Sequence, residues 1–257
     1  MTADPPPGSG DPDAAVAIEL PATVRPAAPA QRLFVGVKVS LATVNALSGA
    51  VEALARRATT AGVRVRWLAP ATYHVTLRFL GWTRPEAIEA LRDRLREVAA
   101  AHKPFELVTR RLGAFPRPGA ARVVWAGVED GSGQLAALAS AMEAMAVDLG
   151  YRAEARAFQP HVTLGRLADP ADVANALLPL AEQDFSRSRV DAAILFDSVT
   201  KSKGFEYEAI VAARLEGHSK PQKRQTDTLK RPAYDDAHDS DDGWGASRPP
   251  GEIDPDT

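Results

Sequence analysis

The sequence predicts an α+β domain built from two similar halves. Two observations favour this fold class. Patterns typical of strands and helices alternate along the chain, with hairpin-like strand pairs between the helices, and the tetrapeptide His-Val-Thr-Leu occurs twice, at 74–77 and at 161–164. A packed core is expected, because 45% of the 257 residues are apolar and 25% are charged.

The predicted domain covers residues 31–216 and lies between two terminal segments of different composition. Residues 1–30 are rich in Pro, Ala, Gly and Asp, and residues 217–257 become first basic and then acidic. Neither segment keeps the periodic apolar pattern of a strand or a helix, so both are predicted to be disordered tails. Each tail carries a net charge of −3, which leaves +4 on the domain. A mildly basic body is compatible with an anionic substrate.

The first half begins with a strand at Arg32–Val39, which is rich in β-branched and aromatic residues. A helix is then indicated by apolar residues at helical spacing: Val44, Leu47, Val51 and Leu54. A second strand is predicted at 73–80. The sequence Thr83-Arg84-Pro85-Glu86 has the form of a capping box and predicts the start of the next helix. The apolar face of that helix carries Ile88, Leu91, Leu95 and Val98.

The second half repeats this alternation. Phe105–Leu112 and Arg122–Val128 are predicted strands. A third amphipathic helix is indicated by Leu135, Leu138, Met142, Met145 and Leu149. Gly150 is suited to cap the C-terminus of that helix. A short helix is expected between Asp172 and Ala181, and the remaining strands are predicted at 161–166, 190–199 and 206–214.

The repeated tetrapeptide predicts a polar site. In a strand, residues i and i+2 point to the same face, so His74 shares one face with Thr76, and His161 shares one with Thr163. Val and Leu at the alternate positions would anchor each strand in the core. Two facing imidazoles can supply one general base and one general acid near neutral pH, and threonine hydroxyls can bind phosphate oxygens. This set suits displacement at phosphorus.

Other chemistries find little support in the sequence. The chain has no cysteine, which excludes disulfides and thiolate metal sites. No GxSxG, GxxxxGK or HExxH motif is present, and no acids or further histidines stand beside either tetrapeptide to complete a metal site. We therefore expect neither a metal nor a cofactor. We assign no role to His102, His218 or His238. A single histidine in a strand usually has a structural role, so the functional prediction depends on the repeat.

With both His-x-Thr motifs in place, residues 31–216 resemble the 2H phosphoesterase superfamily, and within it the RNA 2′,3′-cyclic phosphodiesterase family, also called 2′-5′ RNA ligase-like. The matching segments, in family order, are Arg32-Leu33-Phe34, Tyr73–Leu77 with Phe79-Leu80-Gly81, Phe115-Pro116, Arg122–Trp125 with Gly127, Phe158–Leu164 with Arg166, and finally Ser198, Gly204 and Tyr207. The resemblance implies a bilobal α+β fold, with two pseudo-two-fold-related halves whose antiparallel sheets line a central cleft.

The resemblance also implies an activity and roles. The activity is metal-independent opening of a 2′,3′-cyclic phosphate at an RNA end to give a 2′-phosphate. His74 would be the proton donor and His161 the proton acceptor, although the residues alone leave these two roles open because the site is nearly symmetric. Thr76 and Thr163 would hold the phosphate, and Arg166 would add positive charge.

Two alternatives remain open at this stage. A related enzyme acting on 2′-5′ oligonucleotides or cyclic nucleotides would use the same four side chains, and an RNA-binding module would need no turnover. The sequence contains neither a secretory signal nor a long apolar run, so the expected location is the cytoplasm without a membrane partner. The expected partner is RNA with a cyclic phosphate end, and a monomer is the expected state.

Overall fold

The computed structural model describes residues 29–201 and 204–217 of the 257-residue chain. The tails predicted at 1–30 and 217–257 lie almost wholly outside the described residues, so their disorder stays a prediction. Within the described residues, no helix is both long and apolar enough to cross a membrane.

The alternation of strands and helices is confirmed. The strands are β1 (Gln31–Lys38), β2 (Arg66–Trp67), β3 (His74–Thr83), β4 (Phe105–Phe115), β5 (Ala121–Glu129), β6 (His161–Ala171), β7 (Asp184–Val190), β8 (Ala192–Lys201) and β9 (Gly204–Arg214). The helices are α1 (Leu41–Thr60), α2 (Pro85–Ala100), α3 (Gln134–Asp148) and α4 (Ala174–Leu177). Strands β2 and β7 were not predicted, because β2 has only two residues and β7 (DFSRSRV) has few apolar residues.

The capping box predicted at Thr83 is wrong. Thr83 is the last residue of β3, where it pairs with Gln31, and the N-cap of α2 is Arg84, which makes no side-chain capping bond. The hydroxyl of Thr83 lies 3.1 Å from that of Tyr151, and the residue is buried. Strand pairing and this buried hydrogen bond therefore fix Thr83 in the sheet. Pro85 does occupy the first turn, as expected.

The other predicted helix signals are confirmed, and α1 has an N-cap that was not predicted. Ser40 caps α1, because its side chain accepts a hydrogen bond from the backbone N–H of Thr43. Gly150 follows α3 with a φ of 90°, a conformation that glycine adopts without strain. Met142 and Met145 of α3 are fully buried in the core.

All strand pairs are antiparallel, and the sheet order is β7-β4-β5-β6-β3-β1-β8-β9, with β2 beside β6. The order divides into two four-stranded halves, which join between β3 and β6 through the pair Val75 and Val162. The segments β1-α1-β3-α2 and β5-α3-β6-α4 follow the same order in the two halves. The predicted α+β fold with two related halves is thus confirmed, and the two halves form one sheet joined between β3 and β6.

The helices cover one face of this sheet. Leu47 of α1, Leu95 of α2 and Leu138 of α3 belong to one buried cluster with Val75 and Val162. We call the other side of the sheet the open face. A residue next to Val75 or Val162 along its strand therefore points to the open face, which is where both histidines lie.

Candidate active site

Burial alternates along both tetrapeptides as the sequence predicts. Val75 and Val162 are 0% exposed, and Leu77 and Leu164 are also buried in the core. His74, Thr76, His161 and Thr163 are all half-buried and lie on the open face. The apolar residues anchor the two central strands, so each polar pair is presented by a stiff support.

The pairing of β3 with β6 brings the two polar pairs together. Val75 lies opposite Val162 in an antiparallel register. Residues that flank such a pair also face each other, so His74 lies across from Thr163, and Thr76 lies across from His161. The charge of His161 lowers the pKa of His74, which requires the two imidazoles to be close. The site is therefore a four-residue set with a local two-fold through Val75 and Val162.

Both imidazole rings are held by backbone carbonyls two residues upstream. Nδ1 of His74 lies 2.6 Å from the carbonyl oxygen of Thr72, and Nδ1 of His161 lies 2.7 Å from that of Gln159. A carbonyl oxygen can only accept, so Nδ1–H is the donor in both rings. Nε2 of each neutral ring is then the basic nitrogen. At His74 this nitrogen lies 3.0 Å from the hydroxyl of Thr76, which donates to it.

His74 lies among aromatic rings. Its ring centroid is 4.8 Å from that of Phe34, 5.9 Å from that of Phe196 and 5.0 Å from that of Tyr207. Desolvation by this burial is the main cause that lowers the pKa of His74 to about 4, with smaller contributions from the charges of His161 and Arg166. His74 is accordingly neutral near pH 7 when the site holds no anion.

His161 has a different environment. The edge of its ring meets Phe115 at a centroid distance of 5.1 Å, and Phe115 packs in turn against Trp125. Burial also lowers the pKa of His161, with a smaller contribution from the charge of Arg166. On the neighbouring strand, Trp125 lies directly opposite Thr163.

Positive charge gathers beside the histidines. Arg166 lies on β6, half-buried and opposite Arg66 of β2, and its charge lowers the pKa of both His74 and His161. Burial raises the pKa of Tyr207, whereas the charges of Arg166, Arg32 and Arg66 act to lower it. These three guanidinium groups therefore act on one small region of the open face, where an anion would be stabilised.

All five residues selected from the sequence thus lie in this region: His74, Thr76, His161, Thr163 and Arg166. The sequence reasoning did not select Arg66, which lies on the unpredicted strand β2, or the aromatic residues Phe34, Phe196 and Phe115. Phe34, Phe115 and Tyr207 did belong to the segments that resembled the family, and each of them packs against one of the two histidines. Within the described part of the chain, no group of three or more potential metal ligands comes together.

Comparison with known proteins agrees with this geometry. The model of the 2′-5′ RNA ligase superfamily matches residues 44–201. The chain belongs to this superfamily. It is 33% identical over 145 residues to the RNA 2′,3′-cyclic phosphodiesterase of Archaeoglobus fulgidus, covering 56% of this chain and 80% of the relative. It is 36% identical over 106 residues to the enzyme of the same name from Aeropyrum pernix, covering 41% of this chain and 59% of that relative. The predicted family is confirmed, and the names of these relatives agree with the predicted enzyme class.

Solved structures show the same fold. A protein of Thermus thermophilus aligns with a TM-score of 0.60 and 26% identity, covering 72% of this chain and 98% of that one. LigT of E. coli, solved in complex with 3′-AMP, aligns with a TM-score of 0.55 and 22% identity over 72% of this chain and 98% of its own. The predicted bilobal fold is thereby confirmed.

Proposed function

We propose that this protein hydrolyses the 2′,3′-cyclic phosphate at the end of an RNA to a 2′-phosphate, using two histidines and no metal ion. The observation that carries the proposal is the pairing of Val75 with Val162, which sets His74 and Thr76 beside His161 and Thr163 on one face. The names of the relatives from Archaeoglobus fulgidus and Aeropyrum pernix, both RNA 2′,3′-cyclic phosphodiesterases, support the choice of substrate.

The proposed reaction moves one proton at each histidine. Nε2 of His161 takes a proton from water as the water oxygen attacks phosphorus. The bond from phosphorus to the 3′ oxygen breaks in line with this attack, and Nε2 of His74 gives a proton to that oxygen. The product keeps its phosphate on the 2′ oxygen. Each proton transfer of this kind typically accelerates a reaction by about 10²–10⁴-fold.

The donor role requires His74 to become protonated when substrate binds. Its pKa of about 4 applies to the site without an anion. A bound cyclic phosphate carries a negative charge, and an opposite charge within a few ångströms favours the imidazolium form. The hydroxyl of Thr76, which donates to Nε2 of His74, can then turn to a phosphate oxygen.

Thr163 and Arg166 complete the proposed phosphate site. Thr163 faces His74 across the β3–β6 seam, where its hydroxyl can donate to a non-bridging phosphate oxygen. Arg166 supplies a charge that already acts on both histidines. Hydrogen bonds and charge aimed at an in-line transition state are a main source of catalysis in phosphoryl transfer.

We propose a cytoplasmic monomer as the working form.

The test uses a short RNA with a 2′,3′-cyclic phosphate end, incubated with the purified protein in EDTA, and identifies the product by the position of its phosphate. We expect a 2′-phosphate, with turnover reduced by at least about 100-fold in both His74→Ala and His161→Ala. His102→Ala is the matched control, since His102 follows the end of α2 and is not part of the site.

Three results would contradict the proposal. Absence of turnover with retained RNA binding would favour an RNA-binding module. Turnover that both alanine variants keep would remove the two-histidine mechanism. Turnover restricted to cyclic nucleotides or 2′-5′ oligonucleotides would assign the same site to another substrate.

A further inference from the structure

Two large aromatic side chains of β3 remain exposed on the open face. Phe79 is 49% exposed and Trp82 is 52% exposed, although both belong to a strand at the centre of the sheet. The proposed chemistry uses neither of them. Exposed aromatic rings next to a site for a polyanion are a common feature of single-stranded nucleic-acid binding.

The pairing of β1 with β3 fixes the direction in which these rings point. Phe79 lies opposite Phe34, and Trp82 lies opposite Arg32. Directly opposed residues of an antiparallel pair share a face. Phe34 touches His74, with ring centroids 4.8 Å apart, and Arg32 acts on the pKa of Tyr207, so both lie on the open face.

The aromatic rings of Phe34 and Phe79 extend outward from the site. The centroid of Phe34 is 4.8 Å from that of His74 and 6.1 Å from that of Phe79. Trp82 follows three residues beyond Phe79 along β3, with Arg32 beside it. We call Phe79, Trp82 and Arg32 the β3 strip. It offers two exposed aromatic surfaces for stacking and one positive charge, which lies opposite Trp82.

Strand β6, which carries His161, has no such strip at the corresponding places. Counting from the two histidines, Arg166 of β6 occupies the place of Phe79, and the exposed Asp169 occupies that of Trp82. A carboxylate repels the phosphates of RNA, whereas the β3 strip can stack bases and attract phosphates. An RNA whose end lies at His74 and His161 is therefore favoured to leave the site along β3 rather than along β6.

We propose that the β3 strip binds the nucleotides immediately upstream of the terminal cyclic phosphate, by stacking their bases on Phe79 and Trp82. This inference rests on the proposed function and assigns it a substrate preference: single-stranded RNA over a cyclic mononucleotide. Stacking does not distinguish one base from another, so the preference is for chain length rather than sequence.

The experiment compares kcat/KM for a 2′,3′-cyclic mononucleotide with that for RNAs lengthened by one to four nucleotides at the 5′ side. In the wild-type protein, kcat/KM is expected to rise over the first added nucleotides and then level off. Trp82→Ala and Phe79→Ala should each lower the ratio of oligonucleotide to mononucleotide kcat/KM by about 5- to 100-fold, the range for one stacked base. Trp82→Phe, which keeps a ring, should restore most of it.

Two controls make the outcome specific. Leu178→Ala removes an exposed apolar side chain between α4 and β7, at the far end of the sheet order, and should leave the ratio unchanged. An RNA with an abasic upstream nucleotide should lose kcat/KM with the wild-type protein and lose little more with Trp82→Ala. The same length dependence in wild type and both alanine variants would overturn the inference alone, and absence of wild-type turnover on every substrate would overturn the proposed function as well.

Discussion

The His74 and His161 half-sites have the same backbone and different surroundings. In both, Nδ1 of the ring donates to a carbonyl two residues upstream, and a threonine follows on the same face. His74 packs near three aromatic rings and accepts a hydrogen bond from Thr76, whereas the ring contact of His161 is with Phe115. The repeated tetrapeptide therefore places the two histidines symmetrically, but the residues around them differ.

The neighbouring strands carry the clearest contrast. Thr76 lies opposite Gly36 on β1, and Thr163 lies opposite Trp125 on β5. A Cβ at Gly36 would lie 2.9 Å from the backbone oxygen of Val75 and 3.4 Å from Cδ2 of His74, so only glycine fits there without a shift of the backbone. In the other half the indole fills the corresponding place. Two chemically equal groups in unequal environments can take opposite roles in acid–base catalysis.

A change of leaving group separates the role of the acid from that of the base. A phosphodiester with an aryl leaving group needs no proton donor, because a phenolate leaves readily without one. We expect His74→Ala to lose about 10²–10⁴-fold in kcat on the cyclic RNA end, but far less on the aryl ester relative to wild type. His161→Ala should lose a similar factor on both substrates, because a base is still needed to activate water.

Steady-state kinetics of the two variants on both substrates check this assignment. Greater retention of aryl ester turnover by His161→Ala than by His74→Ala would exchange the two roles. Equal losses by both variants on both substrates would show that the half-sites are functionally equivalent, despite their different surroundings.

The second prediction concerns pH. The active form needs one protonated and one neutral histidine, and this form is most populated between the two pKa values of the free enzyme. Burial lowers the pKa of His74 to about 4 and also lowers that of His161 below its usual 6.5. A lowered pKa means that the proton is lost at lower pH. We therefore expect kcat/KM to be greatest below pH 6.5 and to fall about tenfold per unit at higher pH.

A pH profile of kcat/KM between about 4.5 and 8.5 tests this sign. An NMR titration of the two imidazoles in the substrate-free protein would also show which has the lower pKa. We expect His74 to titrate at the lower pH. A kcat/KM that rises as the pH increases above neutrality would contradict the expectation, as would a His161 that titrates below His74.

The sequence was sufficient for the four side chains at the centre because strand alternation is a strictly local rule. Val75 and Val162 had to be buried, so the histidines and threonines had to point the other way. The fold class followed in the same manner from alternating strand and helix patterns. Local periodicity therefore predicted both the fold and the polar pairs.

The surroundings could not be predicted, because they depend on pairs distant in the chain. Phe34 and Tyr207 reach His74 from β1 and β9, and Arg66 reaches the site from a strand of two residues. Thr83 shows the opposite failure. Its local sequence favours a helix cap, but pairing in the sheet and a bond to Tyr151 outweigh that preference.

The smallest expected effect is on stability and tests how closely Trp125 is fitted. A Cβ at Gly113 would lie 2.3 Å from Cζ2 of Trp125, so Gly113→Ala must move the indole. Overpacking of this kind costs about 1–3 kcal/mol in the free energy of unfolding. Gly49→Ala is the matched control, since a Cβ there meets nothing within 4 Å, and alanine favours helix α1 by about 0.5–1 kcal/mol.

Urea unfolding of the two variants measures both free energies, and the NMR titration of the histidines locates the disturbance. Trp125 packs against Phe115, and Phe115 packs against His161. Gly113→Ala should therefore change the NMR titration of His161 more than that of His74. If Gly113→Ala is as stable as wild type and neither histidine shifts, the indole is loosely held. The difference between Gly36 and Trp125 would then not affect the position of His161.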